Sequence, residues 1–186
     1  MRNNLRRATL VLALGGLLAA APMVAFGDVP TPSVPGFPVT NTHLVRQVRN
    51  ALLLVPFYGV FDNLEYRIDG NRVELLGQVV TPVMKVEAGN VVKSIKGVKS
   101  VINNIQVLPD SFFDDRIRFA EYRAIFGHYG LYRYAMGPNP AIHIIVDNGH
   151  VTLVGEVANQ MDKTMAYMQA RNVPGVFSVT NNLQVG

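Results

Sequence analysis

Polar Asn41 and Thr42 are followed by Leu44, Val45, Val48, Ala51 and Leu52 at helical spacing, which predicts an amphipathic helix ending before Pro56. From Leu64 through Tyr66 to Ile68 the apolar period shortens to two, as in a strand with one buried face. Asp69-Gly70-Asn71 then reads as a hairpin turn, because glycine reaches positive φ without a clash, and Arg72 to Gln78 as the returning strand. Thr81-Pro82 has the form of a helix N-cap with proline at the first helical position. Val83, Val86, Val92 and Ile95 are expected to face the sheet, Gly97 to end that helix, and Val98 to Leu108 to supply a third strand. The predicted order is αββαβ.

The same pattern then returns. Val73, Leu75, Gly77 and Val79 recur as Val151, Leu153, Gly155 and Val157, and Lys85, Ala88 and Gly97-Val98 as Lys163, Ala166 and Gly175-Val176, all at one constant offset. Ser100-Val101, Asn103-Asn104 and Gln106-Val107 likewise match Ser178-Val179, Asn181-Asn182 and Gln184-Val185. Upstream, Leu64, Tyr66 and Ile68 align with Ile142, Ile144 and Val146. The second copy is predicted to run from a helix over Asp114 to Phe126, through strands Ala141 to Val146 and His150 to Val157 joined at Asn148-Gly149, to a helix over Asn159 to Asn172 and a strand over Val176 to Val185. It is longer between its first helix and first strand, around Arg133 to Pro140. The expectation is an α+β chain of two tandem αββαβ modules, residues 41–108 and 111–186, each a small three-stranded mixed sheet packed on two helices. The short joint at Pro109-Asp110 argues for packed modules. Gly77 and Gly155, ending the second strand of each copy, are expected at a bulge or a close helix approach rather than at a ligand.

Ahead of the repeats, residues 1–27 carry Arg2, Arg6 and Arg7, an apolar run from Ala8 to Ala21, and small Ala25 and Gly27, the layout of an export signal cleaved after Gly27. The run is shorter than the roughly 20 residues that span a bilayer. Residues 28–40 hold four prolines and no regular period, as in an extended linker. These segments predict a periplasmic protein, peripheral to the inner or outer membrane. The net charge of +4 suggests a nucleic-acid ligand, but without the three leader arginines 14 basic residues face 13 acidic ones, which argues against one. The sequence has no cysteine, which removes disulfides, thiolate metal sites and a lipidated cysteine.

An export signal ahead of two αββαβ units, each with Gly-x-Val after strand two and a Gly-Val-x-x-Val-x-Asn-x-Ile/Leu-x-Val ending, resembles the BON domain (bacterial OsmY and nodulation) family. The motifs are Gly77 to Val79 with Gly97 to Val107, and Gly155 to Val157 with Gly175 to Val185. The resemblance implies non-enzymatic envelope proteins that contact phospholipid surfaces or other envelope proteins, often under envelope stress, and implies no cofactor. Gly77, Gly97, Asn103, Gly155, Gly175 and Asn181 are the motif positions expected to act structurally.

Candidate chemistry is sparse. His43, His128, His143 and His150 lack the spacing that aims ligands at one point, so no metal is expected. Adjacent Asp114 and Asp115 point apart on a helix and suit its N-terminus. Ser100 and Ser178 have no repeated histidine or aspartate beside them, so no catalytic residues are assigned and the chain is expected not to be an enzyme. Lys85, Lys93, Lys96 and Lys99 lie on or just after the first module's second helix, where such a charge spread is able to touch anionic lipid but more often is a solvated face. In the second module aromatic residues interleave with arginines, and Arg116, Arg123, Tyr129, Tyr132, Arg133 and Tyr134 are the candidate lipid or partner contacts, Arg133 and Tyr134 foremost because they sit in the extra loop. Ile117, Phe119 or Ala120, Ala124 and Phe126 are expected against the sheet. The functional expectation is association with anionic phospholipid surfaces or envelope proteins, supporting envelope integrity. The alternative is a soluble periplasmic chaperone or adaptor that binds proteins without lipid.

Overall fold

Leu44, Val48 and Leu52 form a buried stripe along the first helix, α1 (Thr42–Leu53), and the chain leaves it before Pro56 as the spacing requires. The computed structural model describes residues 42–137 and 139–186; the expected leader and proline-rich linker lie outside them. Strands β1 (Asn63–Asp69) and β2 (Arg72–Val79) pair antiparallel through the expected hairpin, with Gly70 at φ +57°. Helix α2 (Pro82–Lys93) opens at Thr81, whose side chain accepts the Met84 N–H, with proline in the first turn. Strands β3 (Ser100–Asn103) and β4 (Gln106–Val107) then lie parallel to β2 as one interrupted third strand.

The second module repeats this order with α3 (Phe112–Phe126), β5 (Ile142–Asp147), β6 (His150–Val157), α4 (Gln160–Ala170) and β7 (Ser178–Val185). β5 and β6 are antiparallel, β7 is parallel to β6, and Asn148 and Gly149 both take positive φ, as a two-residue hairpin of this hand needs. The extra segment forms a 3-10 turn over Tyr132–Ala135. Each module is thus α+β, with a mixed sheet covered by two helices and its own apolar core: Leu44, Val73, Leu75 and Val92 in the first, and Ile117, Ile144, Leu153 and Leu183 in the second.

α2 departs from expectation. Met84, Ala88, Gly89 and Val92 are buried, whereas Val83 and Val86 face solvent. Both rows are apolar, so hydrophobicity alone does not choose between them; the small residues do. A side chain at Gly89 would meet Asn103 Nδ2 at 2.9 Å, so only the Ala88-Gly89 face lets the helix come this close to the sheet. Asn103 in turn donates to the Lys85 carbonyl (2.7 Å) and Asn181 donates to the Lys163 carbonyl (2.9 Å), the same strand-to-helix bond in both modules.

The motif glycines mark another close approach. Gly77 and Gly155 sit at φ +101° and +129°, and an added Cβ would lie 2.1 Å from the Asn63 carbonyl oxygen and 2.0 Å from that of Ala141. The crowding neighbour is therefore the backbone leading into the adjoining strand, not a helix. Gly97 and Gly175 also take positive φ, after α2 and α4.

Candidate functional site

The connection from α1 to β1 leaves its own module and docks on the next. The Ile144 N–H donates to the Val60 carbonyl at 2.7 Å, so the outer edge of β5 is paired there by module one. Tyr58 stacks on His143 with ring centroids 5.3 Å apart, and the Gly59 carbonyl lies 3.1 Å from His143 Nδ1. Phe61 packs against the second module's core and meets Phe119 and Tyr122 of α3 edge-on, at 5.8 and 6.5 Å. Asp62 fixes the base of this connection by accepting the Gly59 and Val80 N–H groups. β5 is consequently buried from Ile142 to Val146, on both faces.

Polar groups collect at this junction. Burial pushes Tyr58 up to about 12 and raises Asp62, while it lowers His143. On α3, Arg118 is buried between the Asp115 carboxylate (2.6 Å) and the Val146 carbonyl (2.8 Å), and its Nε has no partner among the described residues. Glu121 is 0% exposed, neither carboxylate oxygen has a hydrogen bond among the described residues, and burial raises its pKa to about 8. The adjacent acids divide their work: Asp115 pairs with Arg118, while Asp114 is buried and accepts the Asn148 and Gly149 N–H groups of the hairpin turn.

The outer side of α3 stays largely open, with Phe61 against only its Phe119 and Tyr122 rings. Phe112, Phe113, Phe119 and Tyr122 are exposed, as are Arg116 and Arg123, and a groove of about 550 Å³ runs between Phe113, Arg116, Phe119, Arg123 and the Pro174-Gly175 turn. Neither guanidinium has an ion-pair or hydrogen-bond partner among the described residues, so both are free to meet an anion. Phe119, expected as one possible core residue, belongs to this outer face, and the core takes Ile117, Ile125 and Phe126 instead.

The remaining candidates separate. Tyr129 (93% exposed) and Tyr132 are at the surface. Tyr134 is buried, a correction to its expected place on the outside: its hydroxyl donates to Asp162 and accepts the Ala158 N–H, which pins the 3-10 turn to the start of α4. Arg133 is held against the same Asp162 carboxylate at 2.5 Å and lies over the Tyr134 ring. Both candidates thus fasten the inserted segment.

No group of three or more His, Asp or Glu that could hold a metal occurs among the described residues. Ser178 does have a histidine beside it that Ser100 lacks: His150 Nδ1 lies 2.7 Å from its Oγ across the β6–β7 pair, at the position that Arg72 holds in the first module. The pair is exposed, and nearby Asp147 spends one carboxylate oxygen on Asn148. No described carboxylate hydrogen-bonds the His150 ring, the contact by which a catalytic triad orients its histidine.

A family model described as BON domain matches residues 41–109 and 134–186. This chain belongs to the BON domain family. The two matched segments agree with the tandem arrangement and leave α3 between them. Among curated proteins, none matches. Two solved structures of CdsD, a structural protein of the type III secretion system of Chlamydia trachomatis, align with 77% of this chain. They are 12% and 13% identical, cover 93% and 97% of their own chains, and give TM-scores of 0.30 and 0.28, too low to carry an argument.

Proposed function

We propose that this BON protein is a non-enzymatic component of a bacterial envelope, exported by its leader, that associates with anionic phospholipid surfaces through the outer side of α3. The observation that carries this reading is the pairing of two arginines, Arg116 and Arg123, without side-chain partners among the described residues, with four exposed aromatic rings on one helix. Aromatic rings settle at the depth of lipid headgroups, and a guanidinium binds phosphate oxygens with two parallel hydrogen bonds. No helix among the described residues is long and apolar enough to cross a membrane, so such contact would be lateral.

The test is vesicle co-sedimentation of the chain from Asp28 onward, which keeps every described residue. Binding to vesicles containing phosphatidylglycerol is expected, with little to phosphatidylcholine alone. Arg116→Ala with Arg123→Ala should weaken it roughly tenfold or more, since each cation near an anionic surface contributes about 1 kcal/mol. Absence of binding at low salt would overturn the lipid reading and favour a soluble chaperone or adaptor, measurable as suppression of client aggregation.

A further inference from the structure

Module one carries a second apolar projection. Between α1 and the docking segment the chain reads Leu53-Leu54-Val55-Pro56-Phe57, of which Leu54 is 80% and Phe57 91% exposed. Phe57 sits at φ +68°, a conformation that bulky residues avoid. It is held there because the loop is fixed on both sides. Val55 is buried in the first core, and Tyr58, Val60 and Phe61 are clamped on module two. Strain of this kind persists where surrounding contacts over-determine it.

We infer that this loop is a lipid-inserting wedge, so that the chain meets a membrane with the Leu54–Phe57 tip of module one together with α3 of module two. The inference rests on the lipid reading above. It favours an acyl layer over a protein partner for two reasons. First, the tip offers little to recognise: no polar side chain lies between Leu53 and Phe57, and most backbone donors are already satisfied. The N–H groups of Leu54, Val55 and Tyr58 bond to Ala51, Leu52 and Val55 carbonyls, and Pro56 has no N–H. A loop with few stranded donors enters a low-dielectric layer at little cost. Second, the charge is placed to match: Arg49, exposed on α1, lines the same shallow cleft as Leu53 and Tyr58, which sets a cation behind the apolar tip where phosphates would lie. Phe61, in edge contact with Phe119 and Tyr122, joins the loop to the α3 face.

The chain contains no tryptophan, so Phe57→Trp introduces a single indole reporter. On phosphatidylglycerol vesicles its emission should shift to the blue and be quenched by lipids brominated in the acyl chain. Met161→Trp, exposed on α4, should stay unquenched. Leu54→Ser with Phe57→Ser should lower vesicle affinity about tenfold or more while leaving the melting temperature near that of the parent, because both side chains are already in water. If the parent binds vesicles in an Arg116- and Arg123-dependent way but the indole at position 57 stays in water and the double serine variant binds normally, the wedge is overturned and the α3 reading stands. If the parent binds no vesicle, both fall together.

Discussion

Gly155 shows how much a single motif position decides. With φ at +129° and only 2.0 Å from a virtual Cβ to the Ala141 carbonyl oxygen, alanine there meets backbone strain and a clash that only a strand shift relieves. Gly155→Ala should therefore cost about 3 kcal/mol. Gly97→Ala, at φ +105° with nothing among the described residues within 4 Å, should cost about 1–2 kcal/mol from conformation alone. Chemical denaturation of the two variants measures the difference, and equal losses would mean that the strand approach is not what fixes this glycine. Glu121 makes the opposite case, a residue whose burial nothing local announces. Its folded pKa of about 8 stands above the ordinary carboxyl value of 4.5, so the folded state keeps a proton that the unfolded chain has released. The contribution of this group to stability is then full below about pH 4.5, falls as pH rises towards 8, and is flat above it. In Glu121→Gln that contribution vanishes, and melting curves between pH 5 and 8.5 should show the parent losing stability relative to the variant.

At the scale of elements, what the sequence made readable was local: the two hairpins, the Thr81 cap, the αββαβ order and its repetition all depend on residues within a few positions of one another. The buried face of α2 escaped because two apolar rows competed and a distant asparagine settled the choice. The docking segment escaped for a similar reason, since Val60 finds its partner on β5, far along the chain. One signal was present, however. Tyr58-Gly59-Val60-Phe61 recurs as Tyr129-Gly130-Leu131-Tyr132, outside the constant offset because of the inserted segment. The two runs part company in space: Leu131 is buried in its own module's core and its carbonyl accepts the Tyr134 N–H, whereas Val60 turns outward to the neighbouring sheet. If Phe61 and Tyr58 hold that contact, Tyr58→Ala with Phe61→Ala should speed exchange of the Ile144 amide at least tenfold. Exchange at Leu75 inside the first core should change far less, because each module keeps its own core.

For the whole molecule the junction matters because it fixes two otherwise separate projections on one body. Leu54 and Phe57 belong to module one, Arg116 and Arg123 to module two, and the Phe61 contact with Phe119 and Tyr122 is the aromatic link between them. Two weak contacts on a rigid frame reinforce each other, because once one is made the other acts at high effective concentration, and that gain is lost when the frame loosens. The charge balance makes this arrangement consequential: beyond the leader, 14 basic residues against 13 acidic ones provide almost no overall attraction to an anionic surface, so affinity depends on local contacts acting together. A double-mutant cycle between Phe57→Ala and Arg123→Ala, read by vesicle affinity, should give a clear coupling in the parent. In a Phe61→Ala background the same cycle should come out close to additive. Equal coupling in both backgrounds would mean that the two projections reach the membrane independently of the junction, and the burial of β5 would then serve only to close the edge of the second sheet.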